Sequence, residues 1–161
     1  MRAVFGSVVA GLSAAALIVA PDVAAQEVPK VVRELCVACH GIDGNGGEPL
    51  HAEYPKLAAK QAEYIRKQLR DYQSGRRKHA VMTPMAANLT PEQIDAVAAH
   101  YSAQGSKPAG TMKPALLELG KRIYNDGNVD NGVPACAGCH PPDASGNSRY
   151  PHLAGQHAPY T

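Results

Sequence analysis

Cys36, Cys39 and His40 stand in the pattern C-x-x-C-H, and Cys136, Cys139 and His140 repeat it further along the chain. The chain has four cysteines, so both motifs together use them all and none is left for a structural disulfide. Three chemistries use C-x-x-C. A zinc site pairs two such knuckles, but here the pairs lie far apart and each is followed at once by histidine. A thioredoxin-like redox pair needs one C-x-x-C beside a βαβ pattern, and no period-two strand pattern is present. Covalent attachment of c-type haem uses C-x-x-C-H as its local signature. Two thiols three positions apart on a helical turn reach the two vinyl groups on one porphyrin edge and form thioethers. The next residue then presents its imidazole to the iron. The two motifs predict two covalently bound haem c groups, held by Cys36 and Cys39 and by Cys136 and Cys139, with His40 and His140 as axial ligands.

Composition points the same way. The chain has no Trp, and its one Phe is Phe5, while Gly and Pro number 15 and 13. Small domains built from such a chain lack their bulkiest core-fillers and need an outside staple. A macrocycle in each domain supplies that apolar mass. Phe5 itself falls in an expected secretory signal over residues 1–25. Met1-Arg2 is a basic start, Ala3 to Ala20 an apolar run, and Val23 and Ala25 the small-residue cleavage positions. The expected compartment is therefore the periplasm. The apolar run is also just long enough to anchor in a bilayer, but the cleavage positions favour removal; a peripheral association with the membrane is compatible with either. A net charge of +2 is too weak a bias for a nucleic-acid partner.

The motifs belong to a longer repeat. Cys36 to Gly47 parallels Cys136 to Asn147, and Glu53 to Ile65 parallels Arg149 to Thr161, with Tyr54-Pro55, Leu57-Ala58 and Tyr64 recurring as Tyr150-Pro151, Leu153-Ala154 and Tyr160. Such a repeat reads as a duplicated domain: one domain over 26–105, a linker over 106–113 rich in Gly, Ser and Pro, and a second domain over 114–161. Helical periodicity marks the rest. Residues 90–105 offer Thr90 as N-cap, Pro91 at the first position, Gln93 completing a capping box and Gly105 as C-terminal cap. Ile94, Val97, Ala98 and Tyr101 then share a face. Residues 60–75 place Ile65, Leu69 and Tyr72 on one side, with Gly75 ending the helix. Residues 114–127 place Leu116, Leu119 and Ile123 in register, with Gly127 as cap. A shorter helix over 29–36 leads into the first motif. The fold class is all-α.

The other face of each iron needs a ligand. In the first domain Met82 and Met85 lie just before the last helix, where the segment can fold back over a haem. A thioether is soft and neutral, and a Met/His pair raises the potential and suits electron transfer. His51 and His79 read as solvated loop residues, and His100 falls on the charged side of its helix.

The order helix, C-x-x-C-H, loop, helix, Met loop, last helix resembles the class I c-type cytochromes. The tandem version, with "CVACHGIDGNGG", "YPKLAAKQ", "YIRKQLRDYQSGRR" and "MTPMAANLT" before a capped helix, is similar to the dihaem cytochrome c4 family over residues 26–161. The resemblance implies two tandem class I cytochrome c domains and assigns the axial methionine to Met82, with Met85 as packing. It also implies that the second domain is incomplete and the chain a fragment, because the repeat reaches Thr161 before any counterpart of the Met loop or last helix. Met112 lies in the linker and makes a poor substitute. His157 matches a family position that is not a ligand, and His152 reads as a surface residue. The implied function is a one-electron carrier, not an enzyme, in a respiratory chain between a membrane donor and a terminal oxidase, with redox proteins as partners. The alternative is the electron-accepting subunit of a flavoprotein (sulfide) dehydrogenase. An open second iron would instead suit a ligand binder or peroxidase. The basic cluster Arg76 to His79 is placed to steer an acidic partner.

Overall fold

The computed structural model describes residues 27–46, 54–108 and 113–161. The expected secretory segment, His51 and Met112 lie outside the described residues. Among these, the regular structure is helical, and a single isolated bridge pairs Asn128 with Val133.

The first unit is built on three packed elements. A wide π turn, Val32–Cys36, runs into α1, Val37–His40, so the helix expected to end at Cys36 continues through the first C-x-x-C-H. α2, Ala62–Gln73, buries Ile65, Leu69 and Tyr72, as its period requires. α4, Pro91–Ser102, buries Ile94, Val97, Ala98 and Tyr101. Its entry is the expected capping box: Gln93 N donates to Thr90 Oγ1 (3.2 Å) and Thr90 N donates to Gln93 Oε1 (2.9 Å). Its exit differs. The helix stops at Ser102, with Ala103 N bonded to Ala99 O, and Gly105 is not the cap. The Gly105 carbonyl is instead taken by Asn45 Nδ2 at 3.0 Å. Between α2 and α4 lies α3, Met82–Ala86, a short helix where the sequence suggested a loop. Tyr101, fully buried, donates its hydroxyl to Gly41 O at 3.0 Å and so pins α4 to the turn after the motif.

The second unit is more open. α5, Leu117–Asp126, follows a 3₁₀ turn at Pro114–Leu116 and ends at Gly127, whose φ of 76° is the left-handed exit the sequence suggested. It packs on the 3₁₀ turn Cys136–Gly138. Its apolar face is not covered: Leu116 and Leu119 are 53% and 45% exposed, against the expectation of a buried stripe, and Ile123 is half-buried. Among residues 113–161 only Gln156 is buried.

The loops after the two motifs repeat several of the same hydrogen bonds. Leu57 N and Ala58 N both donate to Gly44 O (2.7 and 2.9 Å); Leu153 N and Ala154 N both donate to Ala144 O (2.8 and 3.2 Å). Asn45 N donates to Asp43 Oδ1, and Ser145 N to Asp143 Oδ1, each at 3.0 Å. The sequence repeat is thus a repeat of backbone conformation. Gly44 and its counterpart Ala144 both have positive φ (68° and 56°). At Gly44 a side chain is excluded for a second reason, since a Cβ would lie 2.6 Å from Tyr101 Cδ1 and 2.8 Å from Ala58 N.

These loops also join the two units, about an approximate twofold. Gln156 Nε2 donates to Lys56 O (3.1 Å), and the repeat-related Lys60 Nζ donates to His152 O (2.5 Å). Lys56 N donates to Gln156 Oε1 (2.8 Å), His152 Nδ1 to Ala59 O (3.0 Å) and Gln61 Nε2 to Ser145 O (2.6 Å). His152, expected at the surface, is therefore half-buried between the units. Part of the expected linker is anchored as well: Lys107 N donates to Asn45 Oδ1 at 2.7 Å, and Lys107 Nζ pairs with Asp43.

Three outcomes follow from this packing. Gly44→Ala should destabilise the protein by about 2–4 kcal/mol in chemical denaturation, from overpacking plus a left-handed alanine. Gln156→Ala leaves both polar groups of the Lys56 backbone without their partner, at a cost of about 1–3 kcal/mol; hydrogen exchange should show the Lys56 amide losing protection while amides within α4 keep theirs. Lys67, then Arg76, hold the Asp71 carboxyl below the usual carboxylate range. That contribution is complete above the unfolded carboxyl's pKa, about 4, and is lost as pH falls towards the lower folded value. Asp71→Asn should accordingly flatten the acid limb of the stability–pH curve.

Candidate haem-binding site

The π turn and the α1 turn that follows it bring Cys36 and Cys39 to one side of a hollow between α1, α2, α3 and α4. Two adjoining cavities of about 300 and 250 Å³ occupy it, and both are lined by Cys36, His40, Leu69, Met82 and Val97. Cys39 lines the larger one. Burial, then the neighbouring Cys39, pushes the Cys36 thiol up to about 11, so it is a protonated thiol at neutral pH.

His40 is 6% exposed, and its Nδ1 sits 2.9 Å from the carbonyl oxygen of Pro55. A carbonyl only accepts, so Nδ1 carries the proton and Nε2 keeps its lone pair. Burial is the main influence on this ring and holds its pKa below the ordinary histidine value, outweighing the opposite pull of the Pro55 bond. The imidazole is therefore neutral and fixed in the tautomer that ligates metal through Nε2. The Tyr54 ring meets it edge-on, with centroids 6.4 Å apart.

Met82 lines both cavities, whereas Met85 lines only the larger one and is 38% exposed. Met85, which the resemblance implied as packing, lines that larger cavity. His79 is exposed; its Nδ1 accepts from the backbone N–H of Val81 and of Met82, which holds the start of α3. His100 is half-buried and bonded through Nε2 to Ile42 O at 2.7 Å, not free on a charged face. Two thiols on one turn, a neutral imidazole and a thioether around one apolar hollow match the donor set and shape that a covalent haem c requires.

The second motif has the same anchor. His140 Nδ1 lies 3.0 Å from Pro151 O, and the Tyr150 ring lies 5.7 Å from the His140 ring. Cys136 is half-buried and Cys139 exposed. No methionine stands among the described residues 113–161.

Several groups at the site were not singled out by sequence. Pro55 and Pro151 act through their carbonyls, and the recurring Tyr-Pro pair was the available signal. Arg77 was read only as part of a basic surface cluster. In the structure its guanidinium donates to Gln68 Oε1 (2.6 Å) and to Tyr160 OH (3.1 Å) and lies 4.9 Å from the centre of the Tyr72 ring. Arg76 pairs with Asp71, so three of the four residues in that cluster, Arg76, Arg77 and His79, are held by internal contacts.

Known proteins bear on this geometry. The cytochrome c family model matches residues 25–102. Cytochrome c4 of Thiocapsa roseopersicina is 45% identical over 130 residues, covering 79% of this chain and 65% of that protein. The thiosulfate dehydrogenase electron acceptor of Thiomonas intermedia is 40% identical over 128 residues, covering 78% of this chain and 58% of its own length. The chain thus spans somewhat under two thirds of these relatives. The crystal structure of reduced recombinant cytochrome c4 from Pseudomonas stutzeri matches with a TM-score of 0.70 and 38% identity, over 80% of this chain and 71% of that one. The helical repeat, the two C-x-x-C-H anchors and these likenesses together show that the chain belongs to the cytochrome c4 family.

Proposed function

We propose that the chain is a periplasmic one-electron carrier. The first unit holds a haem c through Cys36 and Cys39, with His40 and Met82 as axial ligands. The second unit anchors another through Cys136, Cys139 and His140. The observation that supports this best is the placing of Met82 and a tautomer-fixed His40 on the walls of the hollow that Cys36 and Cys39 flank.

When bound, haem c supplies an iron that gains and loses a single electron. The protein's part is to hold that centre still and dry. Pro55 orients His40, the His79 ring fixes the backbone at Met82, and the α2–α4 core gives the hollow its apolar walls. With haem bound, a Met82 thioether and a neutral His40 imidazole as its ligands would favour the ferrous state and raise the potential. Lys78, exposed just before α3, gives a positive charge on that side of the unit for transient docking of an acidic redox partner. In the expected setting the donor is a membrane complex and the acceptor a terminal oxidase. The Thiomonas relative's name favours a second reading, in which a dehydrogenase subunit is the donor; the expectation of a flavoprotein sulfide dehydrogenase partner is one form of it.

Met82→Ala should abolish the iron–sulfur charge-transfer band of one haem and lower that haem's midpoint potential. Met85→Ala should leave the band in place. A band that survives Met82→Ala would remove Met82 from the ligand set. For the donor, rapid reduction by a quinol-oxidising membrane complex supports the respiratory reading, and a dehydrogenase that stays bound through purification supports the second.

A further inference from the structure

Lys60 is a cation in an unusual place. The residue is 4% exposed and lines the smaller cavity, and its Nζ makes one hydrogen bond, to His152 O. An ammonium has three protons to place. Around the same cavity stand Lys56, Tyr64, Arg77, His152 and Tyr160, and among the described residues neither cavity is lined by an Asp or Glu. Lys56 turns its own ammonium to the carbonyls of Lys107 and Pro108. Arg77 is spread between Gln68 and Tyr160. Burial, then the like charge of Lys56, pulls the Lys60 ammonium down to about 8. A buried cation without a counter-ion is strongly disfavoured, so this wall is built to face an anion.

The repeat shows that the charge is not needed for the fold. Gln156 occupies the position of Lys60 in the second unit: Lys60 N donates to Leu57 O, and Gln156 N to Leu153 O. Both side chains then cross to equivalent carbonyls, Lys60 Nζ to His152 O and Gln156 Nε2 to Lys56 O. A neutral amide makes the tie as well as an ammonium does. What Lys60 adds is the charge. Haem c brings two carboxylates, the anions the wall lacks.

We propose that Lys60 is the counter-charge for a carboxylate of the haem in the first unit, a charge the second unit lacks at Gln156, and that it sets the first haem's potential above the value its ligands alone would give. A positive group beside the macrocycle favours the iron state of lower charge, which is the ferrous one. This rests on the reading of Cys36, Cys39, His40 and Met82 as the haem holders.

The test is a potentiometric titration of the haem-loaded chain across pH, with the charge-transfer band followed in parallel. Lys60→Gln should lower the midpoint of the Met-ligated haem. It should also move the pH inflection of that midpoint upward, because a carboxylate without its counter-charge binds a proton more readily. Lys60→Arg should restore both. Lys30→Gln, the same charge change at a site 78% exposed, should move neither. Gln156 lines the same cavity, so Gln156→Lys, which adds a charge there, should raise the midpoint of the Met-ligated haem. If neither exchange moves a midpoint or an inflection beyond Lys30→Gln, while the band is intact, the proposal is overturned. Absence of the band from the unmodified protein would instead overturn the ligand reading beneath it.

Discussion

The hydrogen bond from His40 Nδ1 to the carbonyl of Pro55 ties together what the rest of the first unit needs. It joins α1 to the Tyr54-Pro55 loop, which also meets the His40 ring through Tyr54 and bonds to Gly44 O after the motif. It selects the tautomer of the ring. It also fixes the loop that carries Lys56, Lys60 and Gln61 to the boundary with the second unit. The same bond from His140 to Pro151 does this for the second loop. The boundary between units is therefore set by the two anchors on which the proposed cofactors hang, so orientation of the imidazoles and orientation of the units are one constraint.

The units share this anchor and differ in what surrounds it. The first places α2, α3 and α4 around its motif, with Tyr101 buried under Gly41 and Gly44. The second packs α5 on its motif turn and keeps Leu116 and Leu119 exposed. Equal first ligands in unequal surroundings are the conditions under which two centres of one chemistry acquire different potentials, since burial and nearby charge act on the iron as directly as its ligands do.

Much of the first unit was legible because its signals are local. Thr90 and Gln93 form a capping box within one turn, and Ile65, Leu69 and Tyr72 mark a face by spacing alone. The motif cysteines and histidines are legible for the same reason: their chemistry is written into consecutive positions. What was not legible depends on contacts distant in the chain. Gly105 looks like a helix cap, but Asn45, sixty residues away, claims its carbonyl and the helix stops earlier. Arg77 looks like a surface charge, yet Tyr72 and Tyr160 enclose it. His152 looks exposed until its loop meets Ala59 of the other unit. The stripe on α5 was read correctly as a pattern, but a pattern does not say whether a partner covers it.

The bonds between the units have a common form. Lys60 ends on the carbonyl of His152, Gln61 on that of Ser145, His152 on that of Ala59, and Gln156 on both backbone groups of Lys56. In each of these one partner is main chain, whereas the Arg77 bond to the Tyr160 hydroxyl joins two side chains. The identity of the residue that supplies the main-chain group is immaterial so long as its backbone holds its path, and only the side chains are specified. A boundary of this kind tolerates divergence of two duplicated halves: one copy can change its side chains while the other still finds the oxygen it needs. The exchange of Gln for Lys at a single donor is the sort of drift it permits, through which a charge can enter one half without the two coming apart.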